Sequence, residues 1–467
     1  MNMTSGNGIT SVPVELLRKY DRPGPRYTSY PTAPVWSEKT GPRDYANALK
    51  SASLHAGRSL AAYVHIPFCR KRCYYCGCNT YITRSGKRVE NYVGTLIEEM
   101  EQTAGHLGGR KKISQLHFGG GTPTFLNIMQ FDSILKDFGR YFEFTPDCEK
   151  SLEIDPRVTT SEQLEFLASR GFNRISIGVQ DTDALVQEAI GRIQSYELVS
   201  RVVESCRKLG FKGVNIDLIY GLPRQSELRF HESLAKAIAL KPDRVALYNF
   251  AYLPGIKTHQ SRIDPDDLPP AEIKYRLFAE AVRMFTGAGY RQIGMDHFAL
   301  PDDELSVAQN DGRLYRNFMG YTVQSSPDMI GLGMSSIGYV NSSFFQNQSG
   351  LEAYMNAVSD TGLATYRGMK LSDDDLVRQT VIMSLMCNFR LDFYDIRKQL
   401  GIDYLTYFYD EHQRLAEFFA DGLLVMRNGG IEVTPVGRTF IRNIAMTFDS
   451  YLSKDPPGSK PTFSKTI

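Results

Sequence analysis

Long hydrophobic runs are missing from this sequence: nowhere do its 467 residues approach the ~18–20 consecutive apolar side chains that a membrane-crossing helix needs. The opening stretch, MNMTSGNGITSVPVELLRKY, has no continuous apolar core of the kind a secretory leader carries. A charge excess is also missing. With 54 basic side chains against 52 acidic ones the net charge is +2, which leaves no overall electrostatic footprint for nucleic acid or an anionic membrane. Cysteine is scarce and odd in number, at seven, which argues against a disulfide framework. No heptad or apolar seam suggests self-association. These absences predict a cytoplasmic monomer with neither nucleic acid nor membrane among its partners. The rest is ordinary for a globular chain that buries a full core: 42% hydrophobic and 23% charged residues.

The few cysteines are unevenly placed. Cys69, Cys73, Cys76 and Cys78 fall within one ten-residue window, whereas Cys148, Cys206 and Cys387 stand alone among apolar neighbours and read as small buried hydrophobes. A zinc ribbon needs two CxxC knuckles well apart, and a thioredoxin-like pair needs only one. Three thiolates spaced CxxxCxxC can instead hold three irons of a [4Fe–4S] cube and leave the fourth open for chemistry.

Around this loop the chain alternates. AAYVHI (61–66), ISQLHF (113–118), SLEID (151–155), RISIGV (174–179), GVNIDLIY (213–220) and RVALYNF (244–250) are short β-branched or aromatic runs, each followed by a helical pattern. Six βα units are too few for a closed eightfold barrel. They predict an α/β fold: an open, partial (β/α)6 barrel spanning 58–294, preceded by a Pro- and Tyr-rich N-terminal arm (1–57). Residues 295–366 read as an irregular barrel-completing segment. Residues 367–452 read as a mostly helical, winged-helix-like domain with a small hairpin and Ser372 as a helix cap, and 453–467 as a loose tail. The chemistry-bearing residues follow the strands: the cysteine loop after the first, GGG (119–121) after the second, and Glu153 at the end of the third. Gln180, Asp217 and Ala251 close the fourth, fifth and sixth. Parallel strands bring these ends to one face. Consecutive glycines let backbone approach a ligand closely, a carboxylate such as Glu153 or Asp217 accepts from amino or hydroxyl donors, and the Arg192 fork suits a carboxylate.

CxxxCxxC with Tyr75 before the third cysteine resembles the radical S-adenosylmethionine (SAM) enzymes. Within them, YDRPGPRYTSYPTAP (20–34), YVHIPFCRKRCYYCGCN (63–79), FGGGTPT (118–124), IGVQD, NIDLIYGLP (215–223), IGMDHFALPDDEL (293–305), RNFMGYT (316–322) and CNFRLD (387–392) together resemble the oxygen-independent coproporphyrinogen III oxidases. The resemblance runs over essentially the whole chain. It implies that Cys69, Cys73 and Cys76 ligate one [4Fe–4S] cluster and that two SAM molecules bind. Tyr63, Gly120, Glu153 and Ile337 would contact the first, and Tyr75, Gly121, Thr122, Gln180, Arg192, Asp217 and Ala251 the second. The implied reaction, in porphyrin and haem biosynthesis, is oxidative decarboxylation of the ring A and B propionates of coproporphyrinogen III to vinyl groups, giving protoporphyrinogen IX. It calls for an external electron donor and an electron acceptor. A haem chaperone or a haem-degrading methyltransferase on the same scaffold is the alternative.

Cys78 lies outside the three-ligand motif and is assigned a catalytic part, as a hydrogen donor or in shaping the pocket. His65, four residues before Cys69, is placed near the cluster or the first SAM. A tetra-anionic substrate needs cationic or hydrogen-bonding anchors. Arg22, Arg26 and Tyr27 on the arm, read as a lid, and Asp296, His297, Arg316 and Asn317 downstream are the substrate-side candidates.

Overall fold

The computed structural model describes residues 12–323, 328–452 and 463–466. The expected tail therefore lies outside the described residues apart from 463–466, as do residues 1–11 of the expected arm.

Six strands form where the short apolar runs occur: β1 (Leu60–Ile66), β2 (Lys112–Gly120), β3 (Glu143–Ile154), β4 (Arg174–Gln180), β5 (Gly213–Tyr220) and β6 (Arg244–Asn249). They pair in chain order and all in parallel. The intervening helices begin at well-formed caps. Ser85 accepts from the Arg88 N–H at 3.3 Å, and Asn127 with Gln130 and Thr160 with Gln163 form reciprocal capping boxes. Each crossover returns the chain to the same end of the sheet, so the six C-terminal strand ends share one face.

The segment 295–366 is not irregular, contrary to the sequence reading. With β7 (Arg291–Ile293), it supplies β8 (His297–Ala299), β9 (Met329–Leu332), β10 (Ile337–Val340), β11 (Ser343–Asn347) and, running on past its end, β12 (Thr365–Lys370). The result is an open twelve-stranded sheet in the order β12-β11-β10-β9-β1-β2-β3-β4-β5-β6-β8-β7. β9 lies parallel to β1, and β8 runs antiparallel to β6. These strands are only three to six residues long. Turns such as Asn341–Ser342, both at positive φ, punctuate them too closely for a periodic pattern to show.

The C-terminal region is winged-helix-like. Helix Asp373–Asn388 starts at a Ser372–Asp375 capping box, and a three-stranded sheet joins Arg390–Asp392, Leu424–Arg427 and Gly430–Val433. The region closes with a 3-10 turn, Gly437–Phe440, followed by the short helix Ile441–Met446.

The N-terminal arm is a strap built into two cores. Val12, Leu17, Tyr20, Tyr27 and Tyr30 pack in the C-terminal core, while Tyr45, Leu49 and Ala52 of helix Pro42–Ser53 pack in the barrel core. The buried Arg442 guanidinium clasps the strap, donating to the Pro25 and Lys465 carbonyls at 3.0 Å each and also to the Gly24 carbonyl. Between helices Val14–Tyr20 and Pro42–Ser53 the strap is largely extended and buries side chains without helical or strand periodicity, which is why that stretch looks like a loop in sequence. Among the described residues, no helix is long and apolar enough to cross a membrane.

Two stability predictions follow from buried charge. Arg110, fully buried, meets Asp328 at 2.5 Å and donates to the carbonyls of Ala52, Arg58 and Ser59, tying helix Pro42–Ser53 to the bottom of β1. R110M strands Asp328 and is expected to cost about 3–5 kcal/mol in denaturant unfolding. Glu99 is buried and accepts from Gly333 N–H, Tyr354 hydroxyl and the Asn347 amide, yet burial raises its carboxyl to about 7. The native state thus keeps a proton that the unfolded chain releases from its ordinary 4.5 upward. This contribution to stability is complete below that pH and declines as pH rises through 7. E99Q is expected to shrink the stability difference between pH 5 and pH 8 by roughly 2–3 kcal/mol in unfolding titrations.

Candidate active site

Glycines set how near the β2 edge comes to the cysteine loop. Gly121 N–H donates to the Ile66 carbonyl at 2.8 Å, and Thr122 N–H donates to the Phe68 carbonyl at 3.0 Å. A Cβ on Gly121 would stand 2.6 Å from the Pro67 backbone, and one on Gly120, at φ +114°, would stand 2.5 Å from the His65 ring. Only glycine fits either position. Beneath them, the Asn79 carbonyl can only accept, so His65 Nε2 donates to it at 2.9 Å and Nδ1 accepts from the Tyr63 hydroxyl, also at 2.9 Å. Burial lowers the His65 pKa and keeps the ring neutral. With both nitrogens engaged and its ring packed under Gly120, His65 positions the loop.

The cysteine loop walls a cavity of about 400 Å³ at the C-terminal strand ends. Cys69 Sγ lies 3.5 Å from the Thr122 hydroxyl. Cys73 Sγ accepts from Arg157 at 3.5 Å and from Arg192 at 3.8 Å. Asp155 holds both guanidiniums, at 2.6 Å to Arg157 and 3.0 Å to Arg192. Hydrogen bonding with Cys78 lowers the Cys76 thiol to about 6 against the opposing effect of burial. From the far side His259 donates to the Cys76 carbonyl at 2.7 Å, and Gln260 donates to the carbonyls of Tyr75 and Ala251 at 3.2 and 3.1 Å.

The deep wall carries two carboxyls in different states. Burial opposes ionisation of Glu153, but His117 and the Gly120 N–H, at 3.1 Å, outweigh it and hold the group below its usual value. Burial and then the charge of Glu153 push Asp217 up to about 7, although Ser176 and Asn215 donate to its Oδ1. Glu153 nonetheless keeps 43% of its side-chain surface accessible from within the lumen. Such polar surface deep inside a fold marks a ligand space. Glu153, Asp217 and Tyr248 also line a second chamber of about 130 Å³ that leads down the barrel past His117 and His297 to Tyr321. A larger open groove of about 1320 Å³ lies on the outer helices and the C-terminal region, away from these groups.

Thirteen residues picked from sequence meet around the upper cavity: Cys69, Cys73, Tyr75, Cys76, Cys78, Gly120, Gly121, Thr122, Glu153, Gln180, Arg192, Asp217 and Ala251. Tyr63 stands behind Glu153, near enough that a Cβ on Gly119 would touch both. Ile337 does not line the cavity; it sits on β10 beside Gly331, which pairs with Tyr63. Of the substrate-side candidates, His297 reaches the lower chamber. Asp296 binds His297 at 2.7 Å and Arg26 at 3.0 Å, and Arg316 donates to the Arg26 carbonyl at 3.0 Å. The other three line neither chamber. Tyr27 is 1% exposed and donates to Asp449 at 2.9 Å, a core residue. Asn317 accepts from the Met319 N–H in a hairpin turn, and Arg22 is exposed on the strap beside Thr466. Sequence reading passed over Arg157, His259, Gln260 and Tyr248. Asp155 it saw only as the carboxylate next but one to Glu153. Arg157 and His259 act across chain separations that no local pattern reveals.

The donor set fits a [4Fe–4S] cluster and SAM. Three soft thiols share one loop, the glycine edge leaves room for a ligand against backbone, and the buried Arg192 Nε has no hydrogen-bond partner among the described residues.

This fold and site define a radical SAM protein, and the model of the Radical SAM superfamily matches residues 63–237, with that of the HemN C-terminal domain matching 371–440. Oxygen-independent coproporphyrinogen III oxidase of Escherichia coli K12 is 44% identical over 94% of this chain and 95% of its own length. That of Synechocystis is 40% identical over the full length of both. A solved structure of the E. coli enzyme, described as coproporphyrinogen III oxidase (HemN), a radical SAM enzyme, superposes with TM-score 0.89 at 42% identity, covering 94% of this chain and 98% of the other. The chain belongs to the oxygen-independent coproporphyrinogen III oxidase family.

After anaerobic reconstitution, C69S, C73S and C76S are each expected to lose most of the about four irons per chain, while C78S retains them. Iron and sulfide analysis of the four purified variants checks this.

Proposed function

We propose that this chain removes the ring A and B propionate carboxyls of coproporphyrinogen III as CO2 and leaves vinyl groups, yielding protoporphyrinogen IX. One observation carries the reading: the three cluster thiols, the glycine edge and the Glu153–Asp217 pair face one cavity that continues into the barrel. Cys69, Cys73 and Cys76 hold the [4Fe–4S] cluster. When bound, the cluster supplies one electron to SAM, and SAM supplies the carbon radical that takes hydrogen from a propionate side chain.

The remaining work is positioning and exclusion of water. Gly120 and Gly121 let SAM lie against the β2 edge. Arg192, fixed by Asp155 and by the Gly178 carbonyl at 2.6 Å, offers a guanidinium to a carboxylate. Glu153 stays ionised and accepts from amino or ribose donors. Asp217, near neutral pH, is divided between the two forms and both donates and accepts. Two SAM molecules would bind, the second against Tyr75, Gln180 and Ala251. Cys78 shapes the cavity beside Cys76. Tyr248 stands where the two chambers meet and His297 lines the lower one, with Arg26 and Arg316 behind them. None of this needs an acid–base pair, since the substrate loses hydrogen, CO2 and an electron.

The test is an anaerobic turnover with reconstituted protein, dithionite, SAM and coproporphyrinogen III, resolved by chromatography and mass spectrometry. The expected result is protoporphyrinogen IX with two 5′-deoxyadenosines per product, one for each carboxyl lost. SAM cleavage with intact substrate would overturn the assignment and turn attention to haem as the ligand.

A further inference from the structure

Where the strap, the barrel and the C-terminal region meet, they enclose a pocket of about 40 Å³ apart from the two chambers already described. Arg26 enters it from the strap, Tyr220 and Asn249 from the ends of β5 and β6, and Arg438 and Arg442 from the C-terminal region. Helix Ala271–Gly287 adds Tyr275 and Phe278. Lys274 of the same helix lies beside the pocket: a Cβ on Gly221, the neighbour of Tyr220, would stand 2.8 Å from the Lys274 Cε. A space of this size takes one small ion or a few waters and nothing larger.

The charge around it does not balance. The lining holds one carboxylate, Asp296, which is already engaged by His297 at 2.7 Å, Arg26 at 3.0 Å and Arg316 at 4.0 Å. The nearby carboxylates are engaged as well: Glu272 with Arg18 at 3.0 Å, Asp21 with Lys465 at 2.6 Å, and Asp449 with the Tyr27 hydroxyl at 2.9 Å. Lys274, Arg438 and Arg442 are left with no ion-pair partner among the described residues. Arg442 gives its N–H groups to the carbonyls of Gly24, Pro25, Ser464 and Lys465. Burial, then Arg26, pulls its guanidinium down to about 10. Burial with Lys465, Arg26 and Arg442 outweighs Asp21 and pulls the Lys274 ammonium down to about 8. Donors also stand idle. Arg438 Nε is buried with no hydrogen-bond partner, and neither the Tyr220 hydroxyl nor the Lys274 ammonium has one among the described residues. Asn249 Oδ1 lacks a partner too, and its amide can turn either end to the pocket. Surplus positive charge and unused donors in a buried seam are costly, and an anion offsets both.

We infer that this pocket binds one small monoanion, a carboxylate by preference, which ties the strap and the C-terminal region to the barrel. The Arg438 fork and the Tyr220 hydroxyl donate to its oxygens, while Lys274, Arg26 and Arg442 supply the compensating charge. The carboxylate has two sources. One is a free anion from solution. The other is a side chain of the tetra-anionic substrate, because Asn249 lines the active cavity as well, and Arg26 stands 5.9 Å from the ring of Tyr248, which borders both chambers. Only this second source rests on the function proposed above.

Thermal unfolding of the full, cluster-loaded chain in formate tests the site, with gluconate at equal ionic strength as a carboxylate too large for the pocket. Formate is expected to raise the midpoint saturably, by at least about 2 °C over gluconate. R438Q and Y220F, each checked for native circular dichroism, are expected to need at least about tenfold more formate for the same rise. Anaerobic equilibrium dialysis of coproporphyrinogen III without SAM distinguishes the sources. Formate that weakens its binding to the unsubstituted chain but not to R438Q assigns the pocket to a substrate carboxylate. Binding indifferent to formate, with the midpoint still raised, assigns it to a free anion. No advantage of formate over gluconate, or the same formate dependence in both variants as in the unsubstituted chain, would overturn the inference. Because unfolding is read without coproporphyrinogen III, a failure here is separable from a failure of the reaction itself.

Discussion

Everything at the active centre depends on how near the backbone of β2 comes to the backbone that follows β1. Three glycines in a row remove every Cβ from that contact, so Gly121 reaches the Ile66 carbonyl and Thr122 reaches that of Phe68. The cysteine loop is thereby pinned at its root, one strand away from the edge that SAM would occupy. His65 and Tyr63 fill the space under the glycines with a neutral, fully hydrogen-bonded pair. The opposite end of the loop is held by His259 and Gln260, which bond its carbonyls and leave its thiols free. The scaffold thus grips the loop by its backbone and reserves the sulfurs for iron.

Around that contact the charges are arranged in pairs that a cluster and its partner can use. Arg157 and Arg192 approach Cys73 together, and two guanidiniums so close in a buried site are tolerable because Asp155 lies between them. Lower in the barrel, Glu153 and Asp217 feel the same burial but end up apart: the first has His117 and a backbone N–H to favour its charge, and the second has Glu153 to oppose it. Two carboxyls held in different protonation states supply an acceptor and a conditional donor within one cavity.

Much of this was legible from the sequence, for a physical reason. Six β-branched runs alternating with helices force a parallel sheet, and a parallel sheet forces the strand ends together. Residues as distant as Cys69 and Asp217 could therefore be assigned to one site before any coordinate was known, whereas Ala251 rested on family resemblance. What could not be read depends on partners far along the chain. Tyr27 resembled a surface anchor because its strap has no period, but Asp449 and the C-terminal core claim it. Residues 295–366 looked irregular because strands of three to six residues carry too few positions to show alternation. Ile337 came from family resemblance alone, and its strand is one removed from the cavity wall. His259 and Gln260 had no signal, since nothing in THQSR announces a clamp on a loop some 180 residues earlier.

The central claim is that backbone proximity at the glycine edge, and not the thiols alone, builds the cofactor site. Gly121→Ala tests it most directly, because the added methyl meets the Pro67 backbone and leaves every proposed ligand in place. Iron content after anaerobic reconstitution should be measured alongside SAM binding and far-UV circular dichroism. The account predicts a folded protein with markedly less iron and weakened SAM binding. Full iron loading with unchanged SAM affinity would contradict it.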